Sequence, residues 1–196
     1  MAIENGVYIV KLLCELRRAG SSTVLRYRDE SLSGEALLAL IFGYARVLRD
    51  LGIRRGNLLG MFAPNRPEAI AIRYAAHVLG AATVYLSAPP TEAQRRALVE
   101  QIAPDLLVAF PETIRYLGQR VGVPFVTVGV DQVGSRGRLD VLAASASMGS
   151  IDVYAGLNDL AVISSSGGST GVSKGSCRDF AAYRSEERRV GTECVP

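Results

Sequence analysis

The chain has 196 residues, of which 48% are hydrophobic and 21% charged, and its formal net charge at pH 7 is +3. This length is enough for one domain with a substantial core. The composition excludes a disordered, collagen-like or low-complexity chain. The 22 basic and 19 acidic residues are too nearly balanced to indicate a nucleic-acid partner.

The first half of the chain alternates apolar helices with short apolar strands. Leu37, Leu40 and Ile41 show the three- and four-residue spacing of an amphipathic helix, for which Ser33 is a candidate N-cap. Pro67 and Gly80 mark the start and end of a later helix. The predicted elements are a helix over 7–18, a strand over 23–28 returning through Ser31 and Leu32, a helix through Asp50, a strand over 58–63, a helix over 67–79 and a strand over 83–86.

The second half continues this alternation and then loses it. Thr91 and Gln94 form a capping box that begins a helix running to Ile102. A strand over 106–110, a helix over 111–120, a strand over 125–128, a long weakly patterned loop or linker over 129–158 and a strand over 159–164 follow. Short apolar strands alternating with helices predict an α/β fold with a mostly parallel sheet and flanking helices.

The cysteines and the hydropathy pattern indicate in which cellular compartment the protein is expected. Cys14, Cys177 and Cys194 are far apart and lack paired spacing, so neither a disulfide framework nor a zinc site is predicted. No signal peptide is visible, and no apolar run reaches the ~20 residues that span a bilayer. We therefore expect a cytoplasmic protein without a transmembrane segment. Nothing in the sequence indicates its oligomeric state.

The segment 165–175 has the chemistry of an anion site. It follows a buried strand directly and holds four glycines, five hydroxyl residues and Lys174, one of only two lysines in the chain. Glycines let backbone N–H groups turn inward as a nest for phosphate oxygens, and a lysine supplies a mobile positive charge. A flexible Gly/Ser linker is the alternative. A Walker A loop is excluded because Ser173 precedes Lys174 and Gly175 follows it.

This segment resembles the phosphate loop of the adenylate-forming superfamily, [ST]-[SG]-G-[ST]-T-G-x-P-K-G. The matching residues are Ser166, Gly167, Gly168, Ser169, Thr170, Gly171, Lys174 and Gly175, while Ser173 replaces the usual proline. Upstream, the segments 52–60, 64–68 and 80–84 resemble the family's G-x-x-x-G-D, N-x-P-E and A-G-A motifs in the right order, although Asn57 replaces the common Asp. The resemblance covers about residues 5–183, and within the superfamily the sequence is most similar to acyl-CoA synthetases.

The resemblance implies an enzyme that activates a small carboxylic acid with ATP. An acyl-adenylate forms first, and CoA then takes the acyl group as a thioester. Lys174 and Thr170 are implied as the catalytic residues, with the matching loop residues binding ATP. Mg²⁺ is implied with ATP, and no ligand to it is assigned in this chain.

The resemblance also bears on domain organisation. Residues 1–183 are expected to be the N-terminal part of an AMP-binding domain whose later strands lie beyond this chain, so we expect the chain to be inactive alone. Residues 184–196 resemble a translated sequencing adapter and are expected to be a non-native tail. A non-catalytic nucleotide-binding or interaction module is the alternative.

Four further sites are expected to be structural. His77 falls on an apolar helix face, where a lone histidine is usually part of the core. Cys177 is expected to be a packing residue. The pairs Arg54–Arg55 and Arg95–Arg96 are expected to be solvated charges.

Overall fold

The computed structural model describes residues 7–86, 91–117, 122–146, 149, 151–166 and 174–182. Over these residues the strands are β1 Thr23–Tyr27, β2 Glu30–Ser33, β3 Leu58–Phe62, β4 Ala82–Tyr85, β5 Leu106–Ala109, β6 Phe125–Thr127, β7 Leu160–Ser166 and β8 Lys174–Asp179. The α-helices are α1 Tyr8–Ala19, α2 Gly34–Asp50, α3 Pro67–Val78, α4 Glu92–Ile102 and α5 Leu139–Ser145.

A six-stranded sheet lies at the centre, in the order β6-β5-β3-β4-β7-β8. Strands β3 to β7 pair in parallel, as in the register Leu59 with Leu106 and Thr83 with Val162. β8 returns antiparallel to β7, and β1 and β2 form a separate hairpin. The prediction of a mostly parallel sheet with flanking helices is confirmed.

Local sequence signals set the helix limits. Ser33 Oγ accepts a hydrogen bond from the Ala36 N–H at 3.1 Å, so it caps α2 as predicted. Gly52, just past the end of α2, has a φ of 100°, a backbone conformation that favours glycine. The predicted capping box of Thr91 and Gln94 begins α4.

Helices cover both faces of the sheet. α1, α2, α3 and α5 pack on one face around a core that includes Ile41, Leu59 and Ile72. α4 packs on the other face, where Val99 meets Val84 and Leu107. Adjacent strand residues such as Leu106 and Leu107 belong to opposite faces, so both sides of the parallel strands are apolar.

The prediction of a helix over 111–120 is wrong for the part that the structure describes. Only a single 3₁₀ turn forms there, Ile114–Tyr116, and residues 118–120 lie outside the described residues. Thr113 Oγ1 accepts from the Phe110 N–H at 2.9 Å and donates to the Phe62 carbonyl. These bonds hold the chain against the end of β3, so the backbone turns instead of continuing as an α-helix.

The segment 129–158, expected to be a long loop, contains helix α5. Leu139 is fully buried and belongs to the core. Burial would raise the pKa of the Asp140 carboxyl, but hydrogen bonds from Arg138 and from the Gly129 N–H outweigh burial and lower it. The segment therefore packs along α2 through a short helix that its composition did not indicate.

Among the described residues, no helix combines the length and apolar character needed to cross a membrane.

Candidate functional site

The predicted phosphate loop joins β7 to β8. The two strands pair up to the register of Ser166 with Lys174, so residues 167–173 form the connection between paired ends. Strand β8 was not predicted from the sequence. Its sequence, KGSCRD, shows no apolar alternation because its described residues Ser176 to Asp179 are all exposed at the sheet edge.

The described residues include only part of the predicted site. The backbones of Ser166, Lys174 and Gly175 are paired in the hairpin. Gly167, Gly168, Ser169, Thr170 and Gly171 lie outside the described residues. The roles assigned to the loop residues therefore remain predictions.

The hairpin leaves the sheet at the edge formed by the carboxyl ends of the parallel strands. Because β7 runs parallel to β4, its carboxyl end lies on the same edge as the carboxyl ends of β4 and β3, at Tyr85 and Phe62. In open α/β sheets, ligands bind outside the carboxyl ends of the strands. The topology thus brings the glycine-rich segment to the edge where a nucleotide would bind.

A buried polar network lies beside the first residues of β7. His77 Nε2 lies 3.0 Å from the Ala161 carbonyl oxygen and 3.1 Å from Thr83 Oγ1. A carbonyl can only accept, so Nε2 carries the proton and Nδ1 accepts from the hydroxyl of Tyr8. Burial, and then the positive charge of Arg73, lower the pKa of His77 to about 3. The imidazole is therefore neutral at pH 7.

Aromatic packing links the same network to the end of β8. Phe180 is fully buried, its ring stacked 5.9 Å from that of Tyr8 and edge-on to His77 at 5.2 Å. The Phe180 N–H donates to the Asp159 carbonyl at 3.0 Å. The two strands are thus fixed at the end of the hairpin opposite the phosphate loop.

An ion pair fixes the segment before β7. Arg55 Nε and Nη2 donate to the two carboxylate oxygens of Asp159 at 2.7 and 2.9 Å. Asp159 Oδ2 also accepts from the Gly156 N–H at 2.7 Å. Bidentate pairing of this kind restrains the orientation of both groups.

Sequence reasoning found some of these residues and missed others. The structural role expected for His77 is confirmed. Arg55 is half-exposed but paired, and no local signal could reveal a partner 104 residues away. The prediction that Cys177 is a packing residue is wrong, because it is exposed on the edge strand.

The part of the chain that the structure describes contains no cluster of three or more His, Cys, Asp or Glu side chains that could hold a metal ion. No described residue is therefore assigned to Mg²⁺.

The chain is similar in structure to several solved proteins. An acyl-CoA synthetase from Brucella canis matches with a TM-score of 0.78 and 19% identity over 90% of this chain and 34% of that protein. The anthranilate CoA ligase AuaEII, solved with anthranoyl-AMP, matches with a TM-score of 0.81 and 17% identity over 90% of this chain and 35% of that protein. VinN, solved with 3-methylaspartate, matches with a TM-score of 0.79 and 20% identity over 95% of this chain and 51% of that protein. The chain thus spans about a third to a half of these proteins.

No curated protein matches the chain. The family model of the AMP-binding enzymes matches residues 15–185, which include the six-stranded sheet and the hairpin that carries the glycine-rich segment. The chain belongs to the AMP-binding enzyme family.

Proposed function

We propose that this chain is the nucleotide-binding part of a ligase that couples ATP to the activation of a small carboxylic acid. The acid's carboxylate attacks the α-phosphorus of ATP, which forms an acyl-adenylate and releases pyrophosphate. The thiol of CoA then attacks the acyl carbon and displaces AMP, which gives a thioester. The acyl-CoA and aryl-CoA ligases among the similar structures support this choice of acceptor.

One observation carries the proposal. The segment that matches the phosphate loop of the family joins two paired strands at the carboxyl edge of a parallel sheet. The alternative considered for this segment is a flexible linker. Such a linker does not usually join two strands that pair with each other up to its ends. The position suits a loop whose backbone must keep one geometry around a phosphate.

In this proposal the loop stabilises the leaving pyrophosphate. The backbone N–H groups of Gly167, Gly168 and Gly171 and the hydroxyls of Ser169 and Thr170 hold the β- and γ-phosphates. Lys174 neutralises the charge that grows on them as the bond to the α-phosphate breaks. Mg²⁺, when bound with ATP, supplies further charge neutralisation.

ATP–pyrophosphate exchange tests this proposal in a protein that contains this chain followed by the rest of the domain. We expect Lys174→Ala to lower the exchange rate at least about 100-fold, as expected when a transition-state charge partner is lost. Lys11→Ala is the matched control, because Lys11 is the only other lysine and lies exposed on α1. It should leave the rate unchanged. An unchanged rate in Lys174→Ala would contradict the role of Lys174.

The 196-residue chain alone distinguishes the alternative function. We propose that it does not complete adenylation, since the chain spans only 34–51% of the three proteins compared above. Adenylate formation by this chain alone would contradict that statement. Binding of ATP by this chain, combined with no exchange in the longer protein, would favour a non-catalytic nucleotide-binding module.

A further inference from the structure

A cleft opens at the carboxyl ends of β3 and β4, between the β1–β2 hairpin and the first turns of α3. Its volume is about 530 Å³, within the range of small-molecule sites. None of the described residues that line it belongs to the glycine-rich segment 165–175. The cleft is therefore a candidate small-molecule site built from other described residues than those of the phosphate loop.

Three arginines from different parts of the fold line this cleft. Arg26 comes from β1, Arg66 precedes α3, and Arg73 lies in α3. The described residues of the lining include no Asp or Glu. Guanidinium groups remain charged at any physiological pH. The lining therefore carries three positive charges, one of them paired with Glu112 just outside it, and favours an anion.

Two of these arginines have hydrogen-bonding capacity left for a ligand. Arg26 is exposed and forms no ion pair with the residues that the structure describes. Arg66 Nε lies 3.0 Å from Glu112 Oε1, but the geometry is not that of a hydrogen bond. That buried nitrogen has no hydrogen-bond partner within the described ranges. The Arg66 side chain is still 28% exposed, so its pairing with Glu112 leaves part of the side chain accessible to an anion.

Apart from Asn65, the rest of the cleft wall is aromatic and apolar. Tyr85 ends β4 and is 38% exposed, and Leu25 and Ile70 add aliphatic surface. A tyrosine ring beside guanidinium groups can stack against a planar ring of a ligand. The cleft thus offers both charge and a flat apolar surface.

We propose that this cleft binds a small organic phosphate that carries a planar ring. A phosphomonoester has a charge of about −1.5 to −2 at pH 7 and three acceptor oxygens. It matches three guanidinium groups better than a carboxylate with one charge does. The phosphate contacts Arg26 and Arg66, and the ring lies against Tyr85.

Calorimetric titration of the 196-residue chain with phenyl phosphate tests the proposal. We expect Arg26→Gln to weaken binding about tenfold, the usual result of losing a charge-assisted hydrogen bond. Arg28→Gln is the matched control, because Arg28 is exposed on the same hairpin, does not line the cleft and changes the net charge equally. The affinity of the Arg28 variant for phenyl phosphate should stay within twofold of that of the unmodified chain.

Three further titrations separate the elements of the proposal. Tyr85→Leu should weaken phenyl phosphate but not inorganic phosphate. Benzoate should bind more weakly than phenyl phosphate, and Lys174→Ala should leave phenyl phosphate binding unchanged. Four results would each overturn the proposal. They are equal effects of the Arg26 and Arg28 variants, loss of phenyl phosphate binding in Lys174→Ala, benzoate binding as tightly as phenyl phosphate, and no saturable binding of phenyl phosphate.

Discussion

At the scale of single residues, His77 shows how burial selects one protonation state. Its ring nitrogens are both used, one as donor to the Ala161 carbonyl and one as acceptor from Tyr8. A second proton would place a charge inside the core. The histidine therefore acts as a neutral connector between α1, α3 and β7.

This neutral state makes stability depend on pH. The pKa of His77 is about 3 in the folded chain and about 6.5 when unfolded, so the unfolded state binds the extra proton between these values. The contribution of His77 to the free energy of unfolding is thus fully present above pH 6.5. We expect it to fall by about 1.4 kcal/mol for each pH unit as pH drops from 6.5 towards 3.

Urea unfolding between pH 7 and pH 4.5 measures this effect. His77→Gln removes the titrating group, while its amide can still donate to the Ala161 carbonyl. The variant should lose stability at pH 7 but show a shallower decline on acidification. The carboxyl groups titrate in both proteins, so the difference between the two slopes isolates His77. Identical slopes would mean that His77 is protonated equally in both states.

At the scale of elements, the start of α2 packs closely on the end of α1. A Cβ atom added at Gly34 would lie 2.3 Å from the Leu16 carbonyl oxygen and 2.9 Å from the Ala19 Cβ. The first of these contacts is with backbone, so one helix would have to shift. Only glycine fits at this position with the helices in their present arrangement.

We expect Gly34→Ala to lower the free energy of unfolding by about 1–3 kcal/mol, the usual cost of overpacking. Gly43→Ala is the control within the same helix, because its added Cβ would meet Ala143 at 3.4 Å, an ordinary contact. That change should be neutral or stabilising by up to about 1 kcal/mol, since alanine favours helix. Urea midpoints compare the two variants. A stable Gly34→Ala chain would show that α1 and α2 can separate without cost.

Sequence reasoning was strongest where an element has its own local signal. The capping box at Thr91, the N-cap at Ser33 and the proline at the start of α3 each act within a few residues, so these elements were predicted nearly to the residue. The mostly parallel sheet followed from the order of such elements. The phosphate loop was predicted from its own composition and its match to the family motif, and its role stays a prediction.

The features that were missed depend on distant partners. Strand β8 lacks apolar alternation because its exposed residues need no buried face, and only pairing with β7 makes it a strand. The helix predicted over 111–120 is replaced by a turn because Thr113 bonds to the Phe62 carbonyl, 51 residues away. Neither contact has a signature within its own segment.

At the scale of the whole molecule, the first and last parts of the described chain are packed against each other. Tyr8 begins α1, and Phe180 follows β8, yet their rings are stacked. Both rings also contact His77 in α3. The hairpin that carries the phosphate loop is therefore part of the main core.

We expect Phe180→Ala to lower the free energy of unfolding by about 3–5 kcal/mol, as for other fully buried aromatic residues. Hydrogen exchange should speed up in α1 as well as in β8, because both lose the same packing partner. Leu160→Ala is the control, since Leu160 lies in the paired strand but is 37% exposed, and should cost less than about 1 kcal/mol. Faster exchange confined to β8 would show that the chain ends are not coupled.

The order of the strands has a consequence for how the protein assembles during synthesis. Strands β3 to β6 pair with one another within residues 58–127, whereas β7 pairs with β4 across the gap from Thr83 to Val162. Because closing a longer loop costs more entropy, we expect the four earlier strands to associate first. The hairpin would then be added to an existing template. Strands β7 and β8, which flank the predicted phosphate loop, would thus be the last to join the sheet.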